Sequence, residues 1–290
     1  MAGKIEDPGT PIQRYRKKLK SGAVGFLTEG DSWFAFPKWL RTNIIELLYE
    51  YNNPHAGWYR LQSNGDEARK MLAGKQREKL IKVLSDERNH FDGILFSGGG
   101  NDIVGRGILP LLNHWKDGMH WRECINMNNF DNRLSEIEGA YRELVDIRNT
   151  HHKKAVIFTH AYDYAIPANK PIRVLFFKIG PWIQKYMEKN RGIRDANTQA
   201  KIIHHMLTRL GDIILKLEQQ YSKVTYVRTQ GTLKAGDWKD EIHPSGPGFV
   251  KIAKKFQEAL CQQFPNKLPD PSRQWPVSNP KQGLPKVKKS

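Results

Sequence analysis

The chain has 290 residues, with 47 Lys and Arg against 30 Asp and Glu, a formal net charge of +17, and 39% hydrophobic residues. That apolar share suffices for a core and excludes a wholly disordered chain, while two cysteines, Cys124 and Cys261, exclude a disulfide scaffold and read as reduced thiols. No apolar run reaches the roughly 20 residues of a membrane span, and the amino-terminal stretch is charged without a signal peptide's apolar segment.

About half of the positive excess lies on the two flanks. Residues 1–20 carry six basic and two acidic side chains, and residues 265–290 carry six basic and one acidic. The C-terminal flank also has six prolines and no hydrophobic period, which reads as an extended tail. Both flanks read as solvated extensions, or as footholds on anionic membrane or nucleic acid.

Between the flanks, strands and helices alternate. Ala23–Thr28 is a short apolar run ending at Glu29-Gly30-Asp31-Ser32, a buried strand meeting a tight turn. Trp39, Leu40, Ile44, Ile45, Leu47 and Leu48 follow at helical spacing, and residues 66–84 form an amphipathic helical stretch. Phe91–Ser97 is a second strand, closed by three glycines. Residues 130–149 are helical, Lys154–Thr159 is a third strand, Ile202–Leu217 is helical, Val224–Arg228 is a fourth strand, and Gly248–Phe264 is a closing helix. Apolar strands separated by helices predict a parallel sheet covered on both faces. The expected organisation is a basic extension at 1–20, one α/β domain at 21–264, and a Pro/Lys-rich tail at 265–290. Two excursions, 103–129 and 163–200, lie just beyond carboxyl ends of strands, where ligands bind in open α/β sheets.

The strand ends carry the chemistry. Ser32, on a turn from strand to helix, exposes its hydroxyl beside backbone N–H groups, although Asp31 or Ser32 would equally cap the helix. Asp240 and His243 are three residues apart, so one turn lets the carboxylate hold the ring; the same pattern also reads as a plain turn. Gly98-Gly99-Gly100-Asn101 allows close backbone approach and offers an amide donor. It matches neither glycine-rich nucleotide-binding pattern at a strand-to-helix junction. Gly65 offers one further backbone N–H.

Taken in order, GDSW at 30–33, the glycine of SNGD at 65, GGND at 99–102 and DEIH at 240–243 resemble the four sequence blocks of the SGNH hydrolases, the GDSL-type esterases and lipases. The resemblance spans 21–264, with GDSW in place of the common GDSL. It extends more loosely to bacterial proteins with a T-H-x-Y-D-Y segment, here Thr159–Tyr164. The resemblance implies a flavodoxin-like three-layer α/β/α sandwich with the site at the carboxyl edge of the sheet. It implies Ser32 as nucleophile, His243 as base and Asp240 as its orienting partner. The N–H groups of Ser32 and Gly65 and the Asn101 side chain would form the oxyanion hole. The implied activity is hydrolysis of a carboxylic ester, with lipids and phospholipids among the candidate substrates, through an acyl-enzyme and without metal or cofactor. Activity is expected to fall on acidification, because a protonated His243 cannot accept the serine proton.

Other residues are weaker candidates. Trp33 adjoins the nucleophile, and His160 ends the third strand; both are expected at the substrate pocket, His160 alternatively as a structural hydrogen-bonding group. Pro171–Ile183, with Phe176, Phe177 and Trp182, is unusually apolar for a connection. It reads as a lid or acyl-chain wall, or as a helix packed on the body or on a second copy. The histidine pairs 151–152 and 204–205 are adjacent and do not face one ligand point on a helix. The competing reading of the whole is a non-catalytic basic protein of the same fold that binds nucleic acid or anionic membrane. No specific nucleic-acid partner is expected, and peripheral membrane contact would run through the basic flanks. The protein is expected in the cytoplasm, or exported without a cleaved signal peptide. No feature fixes an oligomeric state.

Overall fold

The computed structural model describes residues 11–36, 42–168, 171–174 and 177–275, of which 172–174 and 177–179 are given by backbone alone. Helix α1 (Pro11–Lys20) leads into β1 (Val24–Gly30), the short α2 (Ser32–Ala35), α3 (Ile44–Tyr51) and β2 (Ala56–Arg60). Next come α4 (Ala68–Met71), α5 (Gly74–Leu84), β3 (Gly93–Ser97), α6 (Gly100–Ile103) and a 3-10 turn at Gly105–Leu111. Helix α7 (Met127–His151) precedes β4 (Val156–His160) and two short strands, β5 (Ile172–Val174) and β6 (Phe177–Ile179). Helix α8 (Ala196–Gln220), β7 (Val224–Val227) and α9 (Gly246–Gln263) complete the chain.

The main sheet is parallel throughout, in the order β2-β1-β3-β4-β7. Every residue of β1, β3 and β4 is buried, which is why they read as continuous apolar runs rather than alternating ones. Side chains of alternate residues still serve different layers. Phe26 and Phe158 meet Phe264 on the face covered by α9, while Phe96 meets Tyr141 of α7 on the other. Helices α3 and α9 pack together over one face; α5, α7 and α8 cover the opposite one. The middle of the sheet needs a glycine: a Cβ on Gly93 would sit 2.9 Å from the Phe26 ring.

Counting only the five strands of the main sheet, the order is 2-1-3-4-5. The chain runs outward from β1 to β2 and then returns across β1 to β3. At that reversal the connections after β1 and β3 leave on opposite faces, and a crevice opens between their carboxyl ends. The fold thereby selects the Gly30–Ser32 and Ser97–Asn101 turns as the walls of a site.

Three regions differ from the sequence reading. Strand β2 leaves no clear pattern in the sequence, because Ala-Gly-Trp-Tyr-Arg is a short edge strand whose last two residues lose their burial. The backbones of Ile172–Val174 and Phe177–Ile179 form an antiparallel β5–β6 pair rather than a helix. Residues 11–20 of the basic flank form a helix whose Tyr15 is buried and stacks on Phe91 at 5.1 Å. Arg16 of the same helix bonds Asp86 and Asn89, and Lys18 bonds Asn53. The start of the C-terminal flank is also anchored, with Trp275 stacked on Tyr51 at 4.1 Å. Residues 1–10, Phe176 and residues 276–290 lie outside the described residues. No helix among the described residues is long and apolar enough to cross a membrane.

Candidate active site

The turn after β1 is fixed by Asp31, whose Oδ1 accepts the Trp33 N–H at 3.0 Å and so caps α2. Ser32 is therefore the first residue of that helix. Its N–H has no helical carbonyl four residues behind it. The turn after β3 passes through Gly99 at φ +102, a left-handed conformation suited to glycine, and opens α6 with Asn101 in its first turn.

The third segment, Trp238–Pro244, is a loop closed on itself. Trp238 and Pro244 form an isolated bridge, and the Lys239 N–H reaches the His243 carbonyl at 2.9 Å. Inside it, Asp240 Oδ1 accepts the Ile242 and His243 N–H groups, each at 2.9 Å. These bonds hold the carboxylate facing its own histidine.

The three segments meet in one chain of contacts. His243 Nδ1 lies 3.1 Å from both Asp240 carboxylate oxygens, and His243 Nε2 lies 2.8 Å from Ser32 Oγ. A carboxylate only accepts, so Nδ1 carries the proton and Nε2 presents its lone pair to the serine hydroxyl. All three residues are at most 4% exposed.

Asn101 faces the same pocket as Ser32. One N–H of its amide donates to the Asp66 carbonyl at 2.9 Å, tying α6 to the loop that carries Gly65; the amide has a second N–H. Gly65 itself takes φ +85 on an exposed turn and is not part of the pocket wall. Trp33 does line the pocket, and its indole N–H is anchored on the Ile242 carbonyl at 2.9 Å.

His160 is not at the pocket. It is fully buried among Trp33, Phe34, Tyr162 and Phe256, on the α9 side of its strand. Ser97 Oγ donates to Asp31 Oδ1 at 2.9 Å, so the 2.9 Å contact between His160 Nε2 and Ser97 Oγ is donated by the ring. Burial pushes the His160 pKa down to about 3, which keeps the ring neutral. Its role is structural: it supports the turn beneath the serine.

Three further residues of the site lie inside sequence blocks already named, where the sequence suggests no role beyond capping by Asp31. Tyr162 takes φ +60, rare for an aromatic residue, and donates its hydroxyl to Asp31 Oδ2 at 2.5 Å. Its ring packs so close to Gly100 that a Cβ there would lie 2.7 Å away. Asp31 is the second: burial raises its pKa to about 6 against the opposing bonds from Tyr162, the Trp33 N–H and Ser97. Glu241, the third, is fully buried. Its oxygens accept the N–H groups of Ala168, Ile183 and Gln184 at 3.0, 2.9 and 2.8 Å, and that of Trp182 as well. One carboxylate thus grips the 163–200 excursion on both sides of β5–β6. The Trp182 ring is left edge-on to His243 at 5.4 Å, and Phe36 lies 4.7 Å from the same ring. Phe177 is placed only by its backbone in β6. No group of three or more His, Cys, Asp or Glu side chains among the described residues is arranged to hold a metal.

A scan against protein-family models and a search of curated proteins both gave no match. Solved structures did match. The extracellular lipase of Streptomyces rimosus superposes with a TM-score of 0.52 at 12% identity, covering 82% of this chain and 100% of that one. The chain has the SGNH hydrolase fold. More distant are the lipase Lip_vut3 from a goat rumen metagenome and a carbohydrate esterase family 3 protein from Talaromyces cellulolyticus. The first is 14% identical with a TM-score of 0.46, the second 13% with 0.43; each covers 82% of this chain and 97% of its own. On this SGNH scaffold, Ser32 and Asn101 stand at the β1/β3 crevice and His243 reaches them from the loop before α9.

Proposed function

We propose that the protein is a serine esterase that hydrolyses a carboxylic ester through an acyl-enzyme intermediate. The observation that carries this reading is the buried Ser32–His243–Asp240 chain, with its 2.8 Å and 3.1 Å contacts. In the first step Ser32 Oγ attacks the ester carbonyl carbon while His243 Nε2 takes the hydroxyl proton. The tetrahedral oxyanion is met by the Ser32 N–H and the Asn101 amide. The carbonyl re-forms, the ester C–O bond breaks, and the imidazolium gives its proton to the departing alcohol. Water then repeats the sequence on the acyl-serine, returning the carboxylic acid and free Ser32. Asp240 holds the tautomer and steadies the imidazolium throughout. The Streptomyces rimosus lipase, which shares the fold, is in keeping with this chemistry.

The competing role, a basic binding protein without catalysis, would leave the buried Ser32–His243 contact without a purpose. Turnover of p-nitrophenyl esters by the wild type beside Ser32→Ala tests the reading. Serine-dependent release of p-nitrophenol supports it. No turnover, together with no labelling of Ser32 by a small fluorophosphonate, overturns it.

A further inference from the structure

His160 and Tyr162 form no bond in the proposed ester hydrolysis, yet together they close a ring of hydrogen bonds beneath its nucleophile. The Tyr162 N–H donates to His160 Nδ1 at 3.3 Å, and His160 Nε2 donates to Ser97 Oγ at 2.9 Å. Ser97 Oγ donates to Asp31 Oδ1 at 2.9 Å, and the Tyr162 hydroxyl closes the ring on Asp31 Oδ2 at 2.5 Å. Each donor in the ring meets one acceptor, and both directions end on the same carboxylate. Burial, and after it the Asp31 charge, raise the Tyr162 pKa well above the ordinary range of a phenol, so the hydroxyl stays a donor.

Tyr162 also touches the second turn that the chemistry needs. Its ring lies where a Cβ on Gly100, the neighbour of Asn101, would come within 2.7 Å. The same ring packs edge-on to Trp33, the neighbour of Ser32, at 5.1 Å. The backbone that aims it there takes φ +60, in the left-handed region. An aromatic residue keeps that conformation where its surroundings impose it. Here Thr229 Oγ1 donates to the Tyr162 carbonyl at 2.5 Å, and Asp163 accepts the N–H groups of Tyr164, Gly231 and Leu233 at 2.7, 2.7 and 2.6 Å. The turn after β4 is thus moored to the loop after β7, and it presents one side chain to both turns of the β1/β3 crevice.

We propose that Tyr162, with the ring it closes, is a positioning residue that acts through Asp31 to hold Ser32 in register with Asn101. The inference rests on the serine esterase reading. Asp31 caps α2, so the direction of its carboxylate sets the first turn of that helix, where Ser32 lies. Without the Tyr162 hydroxyl, Oδ2 loses the donor that fixes it, and Oδ1 turns with it away from the Trp33 N–H. The Ser32 N–H and the Asn101 amide then converge less well on one oxyanion. That loss falls on the transition state rather than on substrate binding.

The test compares Tyr162→Phe with the wild type on p-nitrophenyl acetate. Turnover is counted per Ser32 that a small fluorophosphonate labels at completion, so unfolded protein does not enter kcat. Tyr162→Phe keeps the ring against Gly100 and loses only the hydroxyl. Its kcat is expected to fall about 10- to 100-fold, with KM within about twofold. Asp31→Ser keeps a capping oxygen but offers Tyr162 no second acceptor. In that background Tyr162→Phe is expected to cost less than about twofold, because the pair acts as a unit. Ser97→Ala opens the same ring elsewhere and is expected to lower kcat about 3- to 10-fold at unchanged KM; it decides the matter if Tyr162→Phe does not fold. A kcat per labelled serine within twofold of wild type overturns the positioning role and leaves the esterase standing. A loss confined to KM, or an equal loss in both backgrounds, does the same. A wild type that turns over no ester and takes no label at Ser32 brings down the esterase reading and this inference together.

Discussion

At the amino edge of the sheet, polar side chains include the part-buried or exposed pairs Arg16 with Asp86, His90 with Asp92 and Lys18 with Asn53, beside one buried cation, Arg148, that donates to the Ala155, Ser222 and Lys223 carbonyls. At the carboxyl edge they are buried and linked in series, Asp240 to His243 to Ser32 on one line and His160 to Ser97 to Asp31 to Tyr162 on the other. Exposed pairs are screened and contribute little, whereas buried chains fix geometry because an unpaired member is expensive. The basic helix α1 belongs to the first edge: its bonds go to loops that precede β2 and β3. The cations of α1 and the Ser32–His243 contact thus occupy opposite ends of one sheet.

The largest effects should come from the carboxyl edge. Ser32→Ala should lower kcat by at least about 10³-fold in the p-nitrophenyl ester assay, because nothing else there replaces the nucleophile. Asn101→Ala should lower kcat by about 10²–10³-fold with little change in KM, if its amide meets charge that develops only in the transition state.

Glu29 gives a stability test of burial at that edge. It is 4% exposed, and desolvation raises its pKa from the ordinary 4.5 to about 7. The folded state keeps this proton to higher pH than the unfolded chain does, so stability is present at low pH and falls as pH rises from about 4.5 through about 7. Glu29→Gln should remove the loss. Its unfolding free energy relative to wild type should improve between pH 5 and pH 8, by up to about 3 kcal/mol, measured by denaturant titration. A constant difference across that range would show that Glu29 is not held protonated.

Glu241→Gln should act less strongly. One acceptor oxygen becomes a donor facing N–H groups, so amide exchange at Trp182, Ile183 and Gln184 should accelerate and kcat/KM should fall about tenfold. Smallest of all, the triple replacement of Lys17, Lys18 and Lys20 by Ala should leave kcat/KM for a neutral acetate ester within about twofold. A large loss there would break the division between the two edges.

Much of this arrangement could be read from the chain because a parallel sheet writes it plainly. Central strands are apolar runs, and the polar residues that follow each run fall at one edge by construction. Ser32 and Asn101 were visible for that reason, and His243 through its three-residue spacing from Asp240. Edge strand β2 was not, since Gly57 packs beneath α1 and Tyr59 and Arg60 lose their burial. His160 sits at the right edge, but two-residue alternation places it with Phe158 toward α9, and alternation is silent where both faces are buried. Glu241 was least legible. Its partners are backbone N–H groups some 57 to 73 residues away, which carry no side-chain signature.

The grip of Glu241 also makes the excursion a cassette. Ala168 and Trp182, on either side of β5–β6, both end on one carboxylate, so the chain departs and returns at nearly the same point. The length spliced between two such fixed ends adds little to the entropy of closing the loop. Residues 169–181 can therefore be shortened, lengthened or exchanged as a unit, giving the scaffold a socket in which new selectivity for the leaving alcohol could be installed beside an untouched Ser32.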